Sequence, residues 1–237
     1  MSTSEPKSGA LTVRPIAYFR SPLKTKFGIP KQSGLAQNLK GEIVFTPEWR
    51  DNEALRGIEG FDYIWLIWGF SANKHEVKGS TVRPPVLGGN QRMGLWATRS
   101  PFRPNRLGLS AVRVESVSTS HAEGPIIKVC GADLMDNTPI YDIKPYIAYA
   151  DAHPEARSGF TDISKVKRLQ VDIPKEIDTL FDTDSQTSLI EILSLDPRPQ
   201  YHNDADRIYG VEYGDYDVHF KVVDDTVYVL SADKRLQ

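Results

Sequence analysis

The chain has 237 residues, which is enough for one or two domains with a buried core. Its 40% hydrophobic and 25% charged residues are typical of a folded globular protein, so the composition excludes a disordered chain. A single cysteine, Cys130, excludes a disulfide-stabilised scaffold. The longest strongly apolar stretch, Tyr63 to Phe70, is far shorter than the roughly 20 residues of a membrane-spanning helix. The N-terminus has no apolar signal segment, and we expect a cytoplasmic protein.

The charges are unevenly distributed, although the formal net charge is only −2. Between Val77 and Val114 there is no Asp or Glu. The same stretch contains Arg83, Arg92, Arg99, Arg103, Arg106 and Arg113. Guanidinium groups match phosphates and carboxylates, so this stretch predicts a polyanionic or carboxylate ligand. The alternative is that these arginines lie on solvated strand faces.

Short apolar runs in the first two thirds of the chain predict β-strands, because Gly or Pro clusters separate them. The runs are residues 14–20, 42–46, 61–70, 94–99, 110–117 and 126–132. Many short strands with few helical patterns indicate a barrel or a sandwich. We expect residues 1–10 to be a disordered tail.

The pattern changes after the strand-rich part. A helix is predicted to open at Pro174, and a second one covers residues 185–195. Residues 218–230 alternate like a hairpin. We therefore predict a mainly β protein, with a small β-barrel domain over residues 11–155 and a small α+β domain over residues 156–237.

Signatures of several other protein classes are absent from the sequence. It contains neither a G-x-G-x-x-G fingerprint nor a P-loop. Its five histidines are scattered, and none is spaced as a metal ligand with another His or with Cys130, so we expect no metal site. Because Cys130 lies in an apolar run, it is predicted to be a core residue rather than a nucleophile.

Four Gly- and Pro-rich segments carry more polar groups than a plain linker needs. They are residues 20–34, 83–90, 98–109 and 133–146. Proline fixes φ and glycine permits close backbone approach, so such segments can present backbone N–H and C=O groups to a ligand. The alternative is a set of tight turns between strands.

Two of these segments suggest specific chemistry. In the third, Arg99 and Arg103 flank Phe102, which suggests a carboxylate clamp beside an aromatic face. In the fourth, Asp142 and Lys144 are two residues apart, so in a strand both side chains lie on one face. They form either a functional acid–base pair or an ordinary salt bridge.

Several motifs resemble the TsaA-like family. They are "RSPFRPNRLGLS" at 99–110, "VRPPVLGGN" at 82–90, "GIEGFDYIWLI" at 57–67 and "DNTPIYDIKPYIAYADA" at 136–152, with "DPRPQY" at 196–201 similar to the bacterial C-terminal extension. Members of this family include the tRNA N6-methyltransferase that acts on threonylcarbamoyl-adenosine beside the anticodon. The resemblance implies a β-barrel methyltransferase that uses S-adenosylmethionine and forms a homodimer.

The resemblance also implies which residues bind the methyl donor. By motif these are Gln32, Ser33, Gly34, Ser71, Ala72, Arg99, Leu109, Asp142, Ile143, Lys144 and Pro145. Two positions depart from the family pattern. Ser71 stands where many members have His, so no role for an imidazole transfers to it. Arg106 replaces a proline of the usual Arg-Pro-Asn-Pro, which is expected to affect contacts with the substrate.

The reaction that the resemblance implies needs a proton acceptor. The N6 nitrogen of the modified adenine is conjugated and a poor nucleophile, so the enzyme must align it and help to remove its proton. Asp142, held by Lys144, is our candidate catalytic residue. Asp136 is the reserve, although its Asp-Asn-Thr-Pro context also fits a turn. Arg99 is expected to clamp the methionine carboxylate.

The remaining residues of interest are candidates for contacts with the tRNA anticodon stem-loop. Phosphate contacts are expected from Arg83, Arg92, Arg103 and Arg106, and base stacking from Tyr146 and Phe102. Two other functions stay open from the residues alone. One is a non-catalytic RNA-binding barrel, and the other is a regulator that senses S-adenosylmethionine without methylating anything.

Overall fold

The computed structural model describes residues 9, 11–73, 79–163, 166–199 and 204–235. Most of the tail expected over residues 1–10 therefore lies outside the described residues. The strands are β1 (Ala17–Arg20), β2 (Lys40–Phe45), β3 (Tyr63–Gly69), β4 (Thr81–Val82), β5 (Met93–Gly94), β6 (Leu107–Ser120), β7 (Gly124–Cys130), β8 (Thr138–Pro145), β9 (Gln170–Asp172), β10 (Tyr209–Tyr213), β11 (Tyr216–Val223) and β12 (Thr226–Lys234). The α-helices are α1 (Ala148–Asp151), α2 (Lys175–Asp178) and α3 (Thr183–Ser194). Short 3-10 turns cover Pro47–Trp49, Asn52–Leu55, Ile58–Gly60, Pro85–Leu87, Leu95–Ala97 and Gly159–Ile163. The predicted mainly β architecture is confirmed.

Six antiparallel strands form the first sheet, in the order β1-β2-β7-β6-β3-β8. β8 also pairs with β1, so the sheet closes on itself. Side chains alternate between its two faces, as the strand period requires. The inward positions of β3, namely Ile64, Leu66 and Trp68, are buried, and they pack with Val112 and Ile127 in one core.

The direction of these strands brings three long connections together. β1, β3 and β7 run towards one end of the closed sheet, and β2, β6 and β8 start from it. The connections 21–39, 70–106 and 131–137 therefore all lie at this end, which we call the loop end. They contain most of the four constrained segments identified in the sequence.

A second sheet has the strand order β10-β11-β12-β9, with β9 parallel to β12. Helix α3 packs on it through Leu189, Ile192 and Leu193, which share a core with Val211 and Phe220. The carboxylate of Asp182 caps α3 by accepting a hydrogen bond from the Ser185 backbone N–H at 2.8 Å, and this bond lowers the Asp182 pKa. The predicted helix and hairpin here are confirmed.

The connection 21–39 is held between the two sheets. Leu23 is fully buried in the second core. Asn38 donates to Glu191 of α3 from its backbone N–H at 2.8 Å and from its Nδ2 at 2.7 Å. Arg168 Nη2 donates to the Leu35 carbonyl at 2.5 Å. The second sheet thus fixes a segment that carries residues of the candidate site.

The structure contains β4, β9 and β10, which were not predicted, and it departs from the predicted elements in two further places. Instead of a strand over residues 94–99, β5 ends at Gly94 and a 3-10 turn follows, which buries Leu95. The Thr98 hydroxyl closes that turn by donating to the Leu95 carbonyl at 2.9 Å. β8 was not among the predicted strands because Pro139 and Pro145 interrupt its apolar pattern.

Candidate functional site

Two parts of the predicted donor site meet at the loop end. Arg99 donates from Nη1 to the Gln32 side-chain oxygen at 2.5 Å. The Gly34 N–H donates to the Gly131 carbonyl at 2.8 Å. Both glycines have positive φ, +79° and +81°, and a Cβ at Gly131 would pack against the Gly34 backbone, so both positions favour glycine. The tight loop around Ser33 therefore lies against the end of β7.

A carboxylate that the sequence analysis did not single out lies beside this loop. Asp133 follows β7 and accepts a hydrogen bond from the Ser110 hydroxyl at 2.6 Å. Ser110 is buried and accepts in turn from Trp68 Nε1 at 3.0 Å. Burial raises the pKa of Asp133, and the Ser110 hydroxyl, the Arg99 charge and the Ser33 N–H partly oppose this rise. The only signal in the sequence was its place directly after a buried strand.

Ser71 and Ala72 also lie at the loop end, just after β3. The Ser71 N–H donates to the Gly69 carbonyl at 2.8 Å, and the Phe70 N–H donates to the Arg106 carbonyl at 2.9 Å. Lys26 hydrogen-bonds to the Asn73 side chain, which ties this turn to the connection 21–39. The chain that follows, residues 74–78, lies outside the described residues.

Of the other predicted donor residues, Leu109, Asp142 and Lys144 lie on the outside of the sheet, whereas Ile143 pairs with the buried Leu66 and packs against the first core. Because the alternate β3 residues point inward, Ile67 faces outward, and it pairs with Leu109 on one side and Asp142 on the other. Leu109 is 58% exposed. Pro145 pairs with Ile64 and thus lies towards the opposite end of the sheet. No hydrogen bond or ion pair of the described residues joins this outer group to Gln32–Gly34 or Arg99.

Asp142 and Lys144 form the acid–base pair that their spacing predicted. Lys144 Nζ lies 3.2 Å from Asp142 Oδ2, and both side chains are about half exposed. Asp142 Oδ1 also accepts from the Ile143 N–H at 2.9 Å. This orients the carboxylate while leaving it accessible from outside the sheet.

Asp136, the reserve candidate, has a structural role. Its Oδ1 accepts from the Ser21 N–H at 2.9 Å. Its Oδ2 accepts from Lys24 Nζ at 2.9 Å and from the Asn137 side chain at 3.0 Å. Both oxygens are therefore occupied by the turns that join β7 to β8 and β1 to β2.

The predicted phosphate-binding arginines differ in their surroundings. The Arg103 guanidinium lies 5.5 Å from the centre of the Trp96 ring and donates to the Thr98 carbonyl at 2.6 Å, so it supports its own loop. Arg92 donates from Nε to Thr81 Oγ1 at 2.8 Å. Arg83 is exposed.

Arg106 adopts a backbone conformation that its family counterpart cannot. Its φ is +50°, whereas a proline ring fixes φ near −65°. A proline could not adopt this conformation at the point where β6 begins.

A broad cleft of about 1930 Å³ opens at the loop end. It extends from the first sheet to residues 157–161, to Val166 and Lys167, and to the residues that follow α3. The charged residues that line it are Lys31, Arg83, Arg99, Arg157, Lys167 and Asp196, and the aromatic ones are Trp96, Phe102 and Phe160. Since Asp196 already pairs with Arg198, the charge facing the cleft is predominantly positive. Such a surface suits a polyanion.

Tyr146 does not line this cleft. Its ring packs on the outer face of the first sheet, 6.1 Å from the Tyr63 ring and 5.6 Å from the Trp65 ring. Trp65 in turn donates from Nε1 to Asp151 at 3.0 Å. Phe102, the other stacking candidate, is 44% exposed within the cleft.

Other potential sites are weaker. Cys130 is buried, as predicted, and burial raises its thiol pKa, so it is a poor nucleophile. Within the described ranges, no three His, Cys, Asp or Glu residues are grouped to hold a metal ion. The described part of the chain contains no helix that is both long and apolar enough to cross a bilayer.

Comparison with protein families gives two matches along the chain. The tRNA-methyltransferase O N-terminal domain matches residues 18–152, and the TrmO C-terminal domain matches residues 166–235. The chain belongs to the tRNA-methyltransferase O (TrmO) family.

Individual TrmO relatives support this assignment. The tRNA (adenine(37)-N6)-methyltransferase of Escherichia coli is 36% identical over 228 residues, which cover 93% of this chain and 97% of the relative. A protein of the same description from Eikenella corrodens is 42% identical over 168 residues, covering 68% and 91%. A crystal structure of TrmO from P. aeruginosa superposes with a TM-score of 0.78 at 31% identity, covering 97% of this chain and all of that one.

Proposed function

We propose that this protein transfers a methyl group from S-adenosylmethionine to N6 of the threonylcarbamoyl-adenosine at position 37 of tRNA. The observation that carries the proposal is the positively charged cleft at the loop end, with Arg99 and Gln32 on its wall. Family membership supplies the reaction, and the cleft supplies a place for both the donor and the RNA. Because tRNA is the substrate, we also infer a cytoplasmic location.

The proposal assigns different tasks to two domains. Residues 11–155 form the donor-binding β-barrel domain, built on the closed six-stranded sheet. Residues 156–237 form an α+β domain, which contributes Arg157 and Lys167 to the cleft. Lys167 also pairs with Asp225. Both domains would therefore touch the RNA.

The residues at the loop end fit the charges of the donor. Arg99 can bind a carboxylate through its guanidinium, and it is already oriented by Gln32. The Ser33–Gly34 backbone is held against the end of β7 by the hydrogen bond from the Gly34 N–H to the Gly131 carbonyl, and both glycines have the positive φ that this turn requires. When bound, S-adenosylmethionine supplies a methyl group activated by a sulfonium.

The chain must then align the acceptor nitrogen and take its proton. The N6 lone pair is delocalised, so alignment and a nearby base both contribute to the rate. We assign the proton to Asp142, whose carboxylate is held by Lys144 and the Ile143 N–H and stays half exposed. We place the flanking segment Ile143–Pro145 and Leu109 against the donor.

We infer that a second copy of the chain brings these groups together. In one chain, Asp142 and Leu109 face outward, whereas Arg99 lies at the loop end. The outer face of β3, β6 and β8, with its extension into α1, exposes apolar side chains: Tyr63 at 44%, Leu107 at 40%, Leu109 at 58%, Ile147 at 36% and Tyr149 at 92%. Burying such a patch favours a symmetric dimer. In the homodimer that we propose, Asp142 of one copy lies near Arg99 of the other.

Complementation tests this shared site. Asp142→Ala alone should abolish methyl transfer in a tritium-transfer assay while donor binding remains measurable, and Arg99→Ala should be inactive through weak donor binding. Co-expression of the two variants should restore about one quarter of the activity, because half of the dimers then contain one intact site of two. No restoration would contradict a site shared between copies, and full turnover by Asp142→Ala would remove that residue from the mechanism.

RNA binding is assigned to the cleft, which Arg83 and Phe102 line, and to the surfaces outside it that carry Arg92, Arg103, Arg106 and Tyr146. We propose that Arg83, Arg92, Arg103 and Arg106 contact phosphates of the anticodon stem-loop, with stacking by Phe102 and by Tyr146. Arg83→Ala should weaken tRNA binding and reduce the slope of log K against log salt by about one. Arg56→Ala, at the opposite end of the sheet, is the matched control and should change neither. An unchanged slope for Arg83→Ala would contradict its phosphate contact.

Two experiments test the whole proposal. Titration calorimetry with S-adenosylmethionine should show binding, whereas a pure RNA-binding barrel would give no heat. Mass spectrometry of tRNA nucleosides from a deletion strain should show loss of the N6-methyl group. A strain with unchanged nucleosides would favour a regulator that only senses the donor.

A further inference from the structure

Asp133 is a carboxylate at the loop end that the roles above do not use. It accepts from the Ser110 hydroxyl at 2.6 Å, and Ser110 is held by Trp68 at 3.0 Å. This chain of hydrogen bonds fixes the carboxylate next to the Ser33 N–H and within electrostatic range of Arg99. The same two residues belong to the predicted donor site. Asp133 therefore lies next to two residues of the predicted donor site, without being part of a turn.

Arg99 and Asp133 supply a cation and an anion that do not pair with each other in the described part of the chain. Arg99 is close enough to act electrostatically on Asp133, but within the described ranges the two make no direct ion pair. Arg99 hydrogen-bonds to Gln32 instead. An amino acid carries its ammonium and its carboxylate on one carbon, so it needs an anion and a cation side by side.

The other two carboxylates considered for the site are already neutralised by lysines. Asp136 pairs with Lys24 at 2.9 Å. Asp142 pairs with Lys144 at 3.2 Å. Among the residues that the structure describes, the direct hydrogen-bond donors to Asp133 are neutral, which leaves its charge available to a ligand cation.

We propose that Asp133 binds the α-ammonium of the methyl donor while Arg99 binds the α-carboxylate of the same group. This rests on the proposed use of S-adenosylmethionine. Asp133 is thus a donor-binding residue that selects the zwitterionic amino-acid end, and Ser110 is the positioning residue that orients it.

Electrostatics support this arrangement. Burial disfavours the ionised carboxylate and raises the pKa of Asp133. A ligand ammonium offsets that penalty, since a buried charge is stable when it is paired and hydrogen-bonded. The carboxylate is costly in the free protein and is compensated in the complex, as expected of a binding residue.

The test compares two probes that differ in the amino-acid end. S-adenosylhomocysteine carries it, and methylthioadenosine lacks it. Asp133→Asn, measured by calorimetry, should weaken S-adenosylhomocysteine about tenfold to hundredfold, the range for loss of a hydrogen bond to a charged group. Its affinity for methylthioadenosine should stay within about twofold of the wild-type protein. Asp62→Asn, at the opposite end of the sheet, should change neither affinity.

Two results would overturn the proposal. An unchanged affinity for S-adenosylhomocysteine would show that Asp133 does not contact the ammonium. An equal loss of affinity for both probes would show that Asp133 contacts the adenosine or maintains the shape of the pocket. Asp133→Ser serves as a second variant if Asp133→Asn fails to fold. A wild-type protein that binds neither probe would instead refute the proposed donor, so the two failures are distinguishable.

Discussion

Ser110 joins the core of the first sheet to the candidate site, and its removal gives a quantitative prediction. The side chain is only 1% exposed. Its oxygen accepts from Trp68 Nε1 at 3.0 Å, and its hydroxyl donates to Asp133 at 2.6 Å. Ser110→Ala deletes both hydrogen bonds, and it leaves the indole N–H buried without this partner.

The loss of stability in Ser110→Ala follows from the Trp68 indole N–H and the Asp133 carboxylate, which both lose a hydrogen-bond partner. A buried donor without a partner costs about 1–3 kcal/mol, and a lost hydrogen bond to a carboxylate about 1.5–3 kcal/mol. Because the two bonds share one oxygen, we expect Ser110→Ala to lower the free energy of unfolding by about 2–4 kcal/mol. For a chain of this size, that lowers Tm by roughly 5–15 °C.

Urea and thermal unfolding measure the effect, with donor binding followed in parallel. Ser118→Ala is the control, since Ser118 lies on the same strand and is exposed, and it should change stability by less than about 0.5 kcal/mol. Donor affinity should fall with Ser110→Ala because Asp133 is no longer oriented. A loss of stability no larger than that of the control would refute the role of this hydrogen-bond chain.

Three further predictions concern stability. The pKa of Asp133 is raised in the folded state, so the free energy of unfolding of the wild-type protein should fall as the pH rises from the ordinary aspartate pKa through the raised one. Urea titrations at several pH values measure this fall, and Asp133→Asn should not show it. Glu191→Ala removes two hydrogen bonds between α3 and the connection 21–39, and should cost about 1–2 kcal/mol in urea unfolding; a change within error would show that they add nothing. Gly108→Ala places a Cβ against the Trp68 ring and should cost about 1–3 kcal/mol, whereas Gly94→Ala meets open space and should not; equal thermal melts would contradict this.

The candidate site shows where residue patterns give too little information. Asp142 was identified because Lys144 is two positions away, and strand periodicity alone places two such residues on one face. Asp136 and Asp133 look alike in sequence, as acids in a polar loop after a strand. Only the fold distinguishes them, because Asp136 is bound by Ser21 and Lys24 of another connection, while Asp133 meets Ser110 and the Arg99 charge.

The positions of most secondary-structure elements could be predicted from the sequence alone. Strand periodicity, glycines and prolines located most strands of the closed sheet, α3 and the final hairpin, since each depends on residues that are close along the chain. The motifs that indicated the family are also continuous stretches of sequence, so they could be recognised without the fold. The tertiary structure alone decided that three connections share one end of the sheet, that Asp142 faces outward, and that Asp133 contacts Ser110 within electrostatic range of Arg99. These facts depend on strand direction and on pairing between distant segments, which no local pattern encodes.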